Sequence, residues 1–399
     1  MQTSINISQA EFQARADRLC EHVHAQDLSG VVLFDAHYVL YHSGFAFIPT
    51  ERPIAFAMNA QGDKALFVPR LEVEHAQANS LIDHVAHYLE YPTETHPMTV
   101  LQQLLDEMGI GANGKTIGVD TDGYPWMLGY RGPALSELMG APGKSVVAFV
   151  EDCMAVKSEA ELALIRESVK WGNLAHTLLQ RYTKVGATET EVSMRATNEA
   201  TLAMLDAIGP IYRAQSGFSN GAHAGYRGQI GRNAAIPHAM ANNITFEPGD
   251  VLVTGAGVPM WGYHSELERT MLIAPVTDDK KRMFDHMVAL QDTAMGAMKP
   301  GIPCSEVDNA VRAYYDEHDL WSYWKHHSGH TIGLRYHEGP YLDLGDHTIM
   351  QPGMVFTVEP GLYVPELGGF RHSDTVAITE DGTEQMTYYP RDIESLTIR

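Results

Sequence analysis

The sequence predicts an α+β protein. An α/β N-terminal domain, residues 1–155, precedes a C-terminal domain, residues 156–399, built of two similar α+β halves. Three observations carry this. Short apolar strands alternate with helical runs up to about residue 150. From there the order helix, helix, strands occurs twice. Short echoes then link the two rounds: Gly186-ATETEV with Gly301-IPCSEV, and Pro248-Gly-Asp-Val-Leu-Val with Pro352-Gly-Met-Val-Phe-Thr. The echoes lie 115 and 104 residues apart. Duplicated halves of this kind face each other and leave a cleft between their sheets.

The elements follow in order. Ser8-Gln-Ala-Glu11 is a capping box, and it opens a helix running to about Gln26. Strands are read at Gly30–Asp35, 55–58, 64–70 and 116–120, with a helix at Val100–Met108 between the last two. Ser158-Glu-Ala-Glu161 is a second capping box, and the apolar series Leu162, Ile165, Val169, Leu174 and Leu178 gives a helix over about 159–181. A helix at 189–207 comes next, then a strand-rich block at 211–275 that includes a strand at 262–273. Helices at 278–298 and 305–318 precede a second strand-rich block at 326–399.

Composition narrows the function. Lys and Arg number 28 against 50 Asp and Glu, a net charge of −22. That balance disfavours tracking of nucleic-acid phosphates and docking on anionic lipid. Three cysteines, Cys20, Cys153 and Cys304, form neither a disulfide framework nor a metal knuckle. No stretch is apolar for long enough to span a membrane, and the first residues lack a signal-peptide core. A cytoplasmic enzyme is the expectation.

Chemistry-bearing residues cluster in the two strand-rich blocks. Pro237-His238 is the first group. The second, Gly262-Tyr-His264-Ser-Glu266-Leu-Glu268-Arg-Thr, places His264, Glu266 and Glu268 on one face of a strand and Ser265, Leu267 and Arg269 on the other. Two carboxylates on one face repel unless a cation or a proton lies between them. His330-Thr-Ile-Gly-Leu-Arg335-Tyr-His337-Glu338 is the third group. Glu359 ends an apolar strand just before a turn, a costly position for an unpaired carboxylate. Gly369-Phe-Arg371-His372-Ser-Asp374-Thr is the last.

In this order and spacing the clusters resemble the pita-bread superfamily of methionine aminopeptidase, prolidase and creatinase. The resemblance covers essentially the whole chain. It implies a creatinase/prolidase-type N-terminal domain and a pita-bread catalytic domain. Metallopeptidases of that superfamily hold two metal ions with two Asp, one His and two Glu. By motif those positions fall on Gly255, Glu266, His330, Glu359 and Ser373. Two ligands are missing, so the resemblance implies no metal and no cofactor, and it points to members that cleave C–N bonds of small solutes. Within the superfamily the sequence looks most similar to ectoine hydrolases.

On that resemblance the expected reaction is hydrolysis of the ectoine ring to N-acetyl-2,4-diaminobutyrate. Glu266 attacks directly or activates a water, the covalent route being preferred. His238 shuttles the proton, and His330 and His337 stabilise charge or position water. Glu268 and Glu359 grip the amidinium, where bidentate geometry suits its two N–H groups. Arg335 of the same chain, or Phe47 and Arg52 of a neighbouring N-terminal domain, meet the carboxylate of this small zwitterionic substrate, which implies a homodimer. The alternatives are a creatinase-like amidinohydrolase, a metal-dependent Xaa-Pro dipeptidase or a dimethylsulfoniopropionate lyase.

Overall fold

The computed structural model describes residues 6–209, 221–240 and 243–399. Of the strand-rich block expected at 211–275, positions 211–220, 241 and 242 lie outside the described residues. The chain forms two compact units. One holds residues 7–153, and the other holds the described residues from 154 to 399.

The N-terminal unit is a six-stranded mixed sheet with helices packed on it. The strand order is His84–Tyr88, Lys64–Pro69, Ala55–Asn59, Gly30–Leu33, Ile117–Val119, Gly143–Ser145. Gly30–Leu33 is central and buried along its whole length, as an uninterrupted apolar run requires. Helix Gln9–Ala25 begins where Ser8 Oγ accepts the N–H of Glu11 at 3.2 Å, and it buries Phe12, Leu19 and Val23. One core joins Val32 and Phe67 of the sheet to Leu101 and Leu105 of helix Pro97–Glu107 and to Tyr124 and Tyr130. Helices Ala36–Ser43 and Val73–Asn79 and strand His84–Tyr88 had no signal in the sequence reading. Each is short, and strand His84–Tyr88 has a single fully buried residue, Tyr88, so its hydrophobic pattern is thin.

The C-terminal unit repeats itself. Helices Glu159–Tyr182 and Glu189–Ile208 open the first half, and Asp278–Ala297 and Cys304–Glu317 open the second. The capping box at Ser158 is complete: Ser158 Oγ accepts the N–H of Glu161 at 3.2 Å, and the Glu161 carboxylate accepts the N–H of Ser158 at 2.7 Å. The first sheet has the order Thr397–Ile398, Thr270–Ile273, Val251–Val253. The second has Glu338–Leu342, Gly329–Thr331, Val355–Val358, Asp374–Ile378, Thr383–Gln385. The echoed turns share their backbone geometry. Gly186 and Gly301 have φ of 83° and 84°, and Gly249 and Gly353 have φ of 86° and 91°. Glycine adopts this left-handed conformation without steric cost, so both copies of each turn retain it.

The strand expected over 262–273 is shorter. Only Thr270–Ile273 pairs regularly, antiparallel to Val251–Val253 and parallel to Thr397–Ile398. The residues before it are tied by single bridges, Leu267 to Ala256 and Glu268 to Ser373. The second bridge joins this segment to the residue just before strand Asp374–Ile378, which brings the acidic residues of the two halves together.

Candidate active site

Alternation along 265–269 holds even though the ladder does not. Ser265 turns to Ser168, with their Oγ atoms 2.7 Å apart. Arg269 is fully buried and donates to Asp374 Oδ1 at 2.7 Å. Glu266 and Glu268 point the other way. With Glu359 they form a cluster whose carboxylate oxygens lie within 4.8 Å of one another. Glu266 and Glu268 are 3% and 4% exposed, so solvent screens little of their repulsion.

Each carboxylate meets that repulsion differently. Arg371 closes a two-pronged grip on Glu268: Nε donates to Oε2 at 2.5 Å and Nη2 to Oε1 at 2.8 Å. Arg227 adds a third donor to Oε1 at 3.2 Å. Glu359 lies 3.3 Å from Nε2 of His330 and 3.7 Å from Nε of Arg371. Burial works to raise its pKa, but those two cations outweigh it and hold Glu359 well below the usual carboxylate range. Among the described residues no Arg or Lys pairs with Glu266, and the charge of His330 offsets only part of the repulsion. Ser373 Oγ donates to its Oε1 at 2.5 Å. Burial, then Glu359 and Glu268, push the Glu266 carboxyl up to about 8, so it carries a proton at neutral pH.

His330 sits on strand Gly329–Thr331 and is fully buried. Its Nδ1 contacts the carbonyl of Thr331 at 2.9 Å. Its Nε2 faces Glu359 without an aligned hydrogen bond. Burial alone would lower its pKa, but Glu359 and Glu266 reverse that and lift it to about 9. The ring of His337 stacks on it, centroids 3.8 Å apart, and burial followed by the charge of His330 lowers His337 to about 4. Glu338 Oε1 accepts the N–H of Arg335 at 2.9 Å, and Lys157 Nζ donates to Oε2 at 2.8 Å.

The structure therefore brings Glu266, Glu268, Glu359, His330 and His337 together. His238 is exposed at the rim, where its charge acts on His337. Arg335 lies half-buried in the loop between His330 and His337. Phe47 and Arg52 are committed within the N-terminal unit. Phe47 is buried and stacks on Phe45 at 5.5 Å, and Arg52 donates to Glu51 at 2.5 Å and Glu90 at 2.6 Å. In this chain neither is a spare group for a substrate carboxylate. Three participants carried no role in the sequence reading. Arg371 is two residues from Ser373, so strand alternation placed it on the same face. Tyr336, whose ring lies 5.6 Å from that of His264 and whose hydroxyl is pushed up by burial and then by the charges of Glu266 and Glu268, lay within the quoted run between His330 and Glu338. Arg227 had no signal.

The donor set tests what could occupy the site. One divalent cation fits: the oxygens of Glu266, Glu268 and Glu359 lie within 4.8 Å of one another, and the buried Nε2 of His330, which lacks an aligned partner, lies 3.3 Å from Glu359. Two cations do not fit. Gly255 has no side chain, Ser373 offers a hydroxyl turned to Glu266, and both oxygens of Glu268 are taken by Arg371.

The profile of metallopeptidase family M24 matches residues 163–380, more than half of the chain. The chain belongs to metallopeptidase family M24. The creatinase/prolidase N-terminal domain matches residues 15–151, and the fold is that N-terminal domain joined to a pita-bread domain. The chain is 27% identical over 362 residues to an Xaa-Pro dipeptidase of Pyrococcus horikoshii, covering 90% of this chain and 94% of that one. Among solved structures it resembles an Xaa-Pro dipeptidase from Bacillus anthracis, with a TM-score of 0.80, 23% identity, and 97% and 100% of the two chains covered. Zinc-substituted aminopeptidase P of E. coli gives a TM-score of 0.73 at 20% identity, with 98% of each chain covered.

These findings correct the reading of an M24 chain as a metal-independent ectoine hydrolase. The family is one of metallopeptidases, and two relatives matched along 90% and 83% of the chain are Xaa-Pro dipeptidases. Enzyme class survives in its coarser form, a hydrolase of the peptidase kind. Glu268 is corrected as well: Arg371 already occupies the bidentate face that was assigned to a substrate amidinium. Among the described residues no helix is long and apolar enough to cross a membrane.

Proposed function

We propose that this M24 protein hydrolyses the amide C–N bond of small Xaa-Pro-type dipeptides. One observation carries the chemistry. Two adjacent buried carboxylates are pushed in opposite directions, Glu266 up to about 8 and Glu359 well down. Environments that split a pair in this way assign one group to proton transfer and the other to holding charge. Glu266 is the proton-transfer group, because its proton affinity lies nearest neutral pH. Once ionised, the Glu266 carboxylate takes a proton from the attacking water as the C–O bond forms and passes it to the nitrogen that leaves as the C–N bond breaks. Ser373, whose Oγ donates to Glu266 Oε1, fixes its orientation.

Glu359 and His330 form the charged partner of that acid. A divalent ion on Glu266, His330 and Glu359 would polarise the scissile carbonyl and acidify a bound water. Arg227, whose side chain is 52% exposed, brings a cation to the open side of the cluster, where it meets the substrate carboxylate. His337 and His238 line the exposed edge of the site. The chain acts as a homodimer in this reading, which size-exclusion chromatography with light scattering checks.

The test is release of free proline from an Xaa-Pro dipeptide by the purified protein, with manganese or cobalt and with chelator. Proline release abolished by Glu266→Gln supports the proposal. Absence of release under every metal condition, with opening of a cyclic amidine or hydrolysis of creatine in parallel reactions, overturns it.

A further inference from the structure

The space in front of Gly255 is not empty. A methyl group placed on Gly255 would be in ordinary van der Waals contact with Oε1 of Glu268, at 3.5 Å, so the Glu268 carboxylate borders the position from which a side chain at 255 would project. That carboxylate is not a spare ligand. Arg371 spans both its oxygens, is 3% exposed, and is itself fixed by the hydroxyl of Tyr363, 3.0 Å from its Nη1. A guanidinium does not lose its proton in a protein, and its planar fork matches a carboxylate at two points. Arg371 also reaches Glu359, with Nε 3.7 Å from Oε2. It is therefore a permanent positive charge shared between two of the three clustered carboxylates.

Charge balance then limits what else can enter. Glu266, Glu268 and Glu359 supply three negative charges, and Arg371 returns one positive. A single divalent ion on neutral His330 brings the buried sum to zero. Two protons, one on Glu266 and one on His330, reach the same sum with no ion. Two divalent ions would leave a surplus of two positive charges in a site largely closed to water, where unpaired charge is strongly penalised.

We propose that the guanidinium of Arg371 takes the place of one of the two cations of the family, so that the centre holds no more than one divalent ion per chain. Glu268 is the counter-ion of that guanidinium and does not ligate metal while Arg371 is present. The inference is independent of the substrate.

Equilibrium dialysis of chelator-stripped protein against manganese or cobalt, with elemental analysis, tests it. Binding is expected to level off at one ion per chain or fewer. A plateau at two ions, reached at micromolar free metal, overturns the proposal. Arg371→Met frees Oε2 of Glu268 and leaves Oε1 only its 3.2 Å contact with the half-exposed Arg227, and is expected to raise the plateau by one ion. Arg371→Lys keeps the charge and is expected to leave it as in the parent protein. An unchanged plateau in folded R371M, verified by circular dichroism, removes Arg371 from the role. The parent plateau decides the stoichiometry whether or not R371M folds. Proline release is not read in this experiment, so its failure and that of the dipeptidase reading are distinguishable.

Discussion

Lys157 and Glu338 form an ion pair that supports the active-site loop. Their side chains are 1% and 6% exposed, and Nζ lies 2.8 Å from Oε2. Lys157 stands just before the capping box of helix Glu159–Tyr182, and Glu338 begins strand Glu338–Leu342. Between them runs the loop that carries His337. A Cβ on Gly333 would come within 2.8 Å of both Glu338 Oε2 and Lys157 Cε, so the pair is packed against bare backbone. The carbonyl of Gly333 accepts the N–H of His264 at 2.8 Å, which ties the same loop to the segment bearing Glu266. Lys157→Met removes one charge and strands the other in a dry site. Breaking such a pair costs about 3–5 kcal/mol. For a unit of this size that is a fall in Tm of about 6–20 °C, at roughly 2–4 °C per kcal/mol. Removing both charges in Lys157→Met/Glu338→Leu is expected to recover most of the loss, leaving about 1 kcal/mol for the hydrogen bond from the N–H of Arg335. Differential scanning calorimetry of the three proteins reads this directly. A single variant within about 1 kcal/mol of the parent, or a double variant no better than the single, would refute the reasoning.

Other outcomes follow from the same contacts. Glu266→Gln is expected to lower turnover by about 100-fold or more while leaving neutral-pH melting intact, because glutamine mimics the protonated acid. In chelator the parent should lose stability as pH rises from about 4.5 to 8, the range over which the unfolded chain releases the Glu266 proton before the folded one does; the Gln variant should lack that decline in urea titrations. His42 is buried, neither of its ring nitrogens has a hydrogen-bond partner, and burial lowers it to about 3. Because the unfolded histidine titrates near 6.5, its contribution is intact above that pH and is lost on acidification towards 3, at about 1.4 kcal/mol per pH unit. His42→Phe, stacking on Phe56 in its place, should remove that slope for the N-terminal unit; an unchanged acid profile would contradict it. Arg269→Met leaves Asp374 buried without its guanidinium and strips donors from the carbonyls of Ser373, Tyr389 and Pro390. A loss of at least about 3 kcal/mol is expected, seen as a lower urea midpoint.

Much of the architecture was legible from the order of residues. Ser8 and Ser158 start their helices because a hydroxyl satisfies an amide that the first turn leaves open, a relation complete within four residues. The paired Pro-Gly turns announced the repeat for the same reason, since a left-handed glycine is a local requirement. Glu266, His330 and Glu359 could be singled out because a carboxylate or histidine in an apolar strand demands a partner.

The partners themselves are a different matter. Glu268 and Arg371 are 103 residues apart, and Lys157 and Glu338 are 181 apart. No periodicity in the chain says which charge will meet which, because the pairing is set when the two halves bring their sheets together. The sequence alone indicated a substrate cation for Glu268, and the tertiary structure supplied an internal one. The missing carboxylates at Gly255 and Ser373 could be read residue by residue. That a guanidinium stands beside the gap could not, because local physics ends within a few residues and the charge of a buried site is summed over the whole fold.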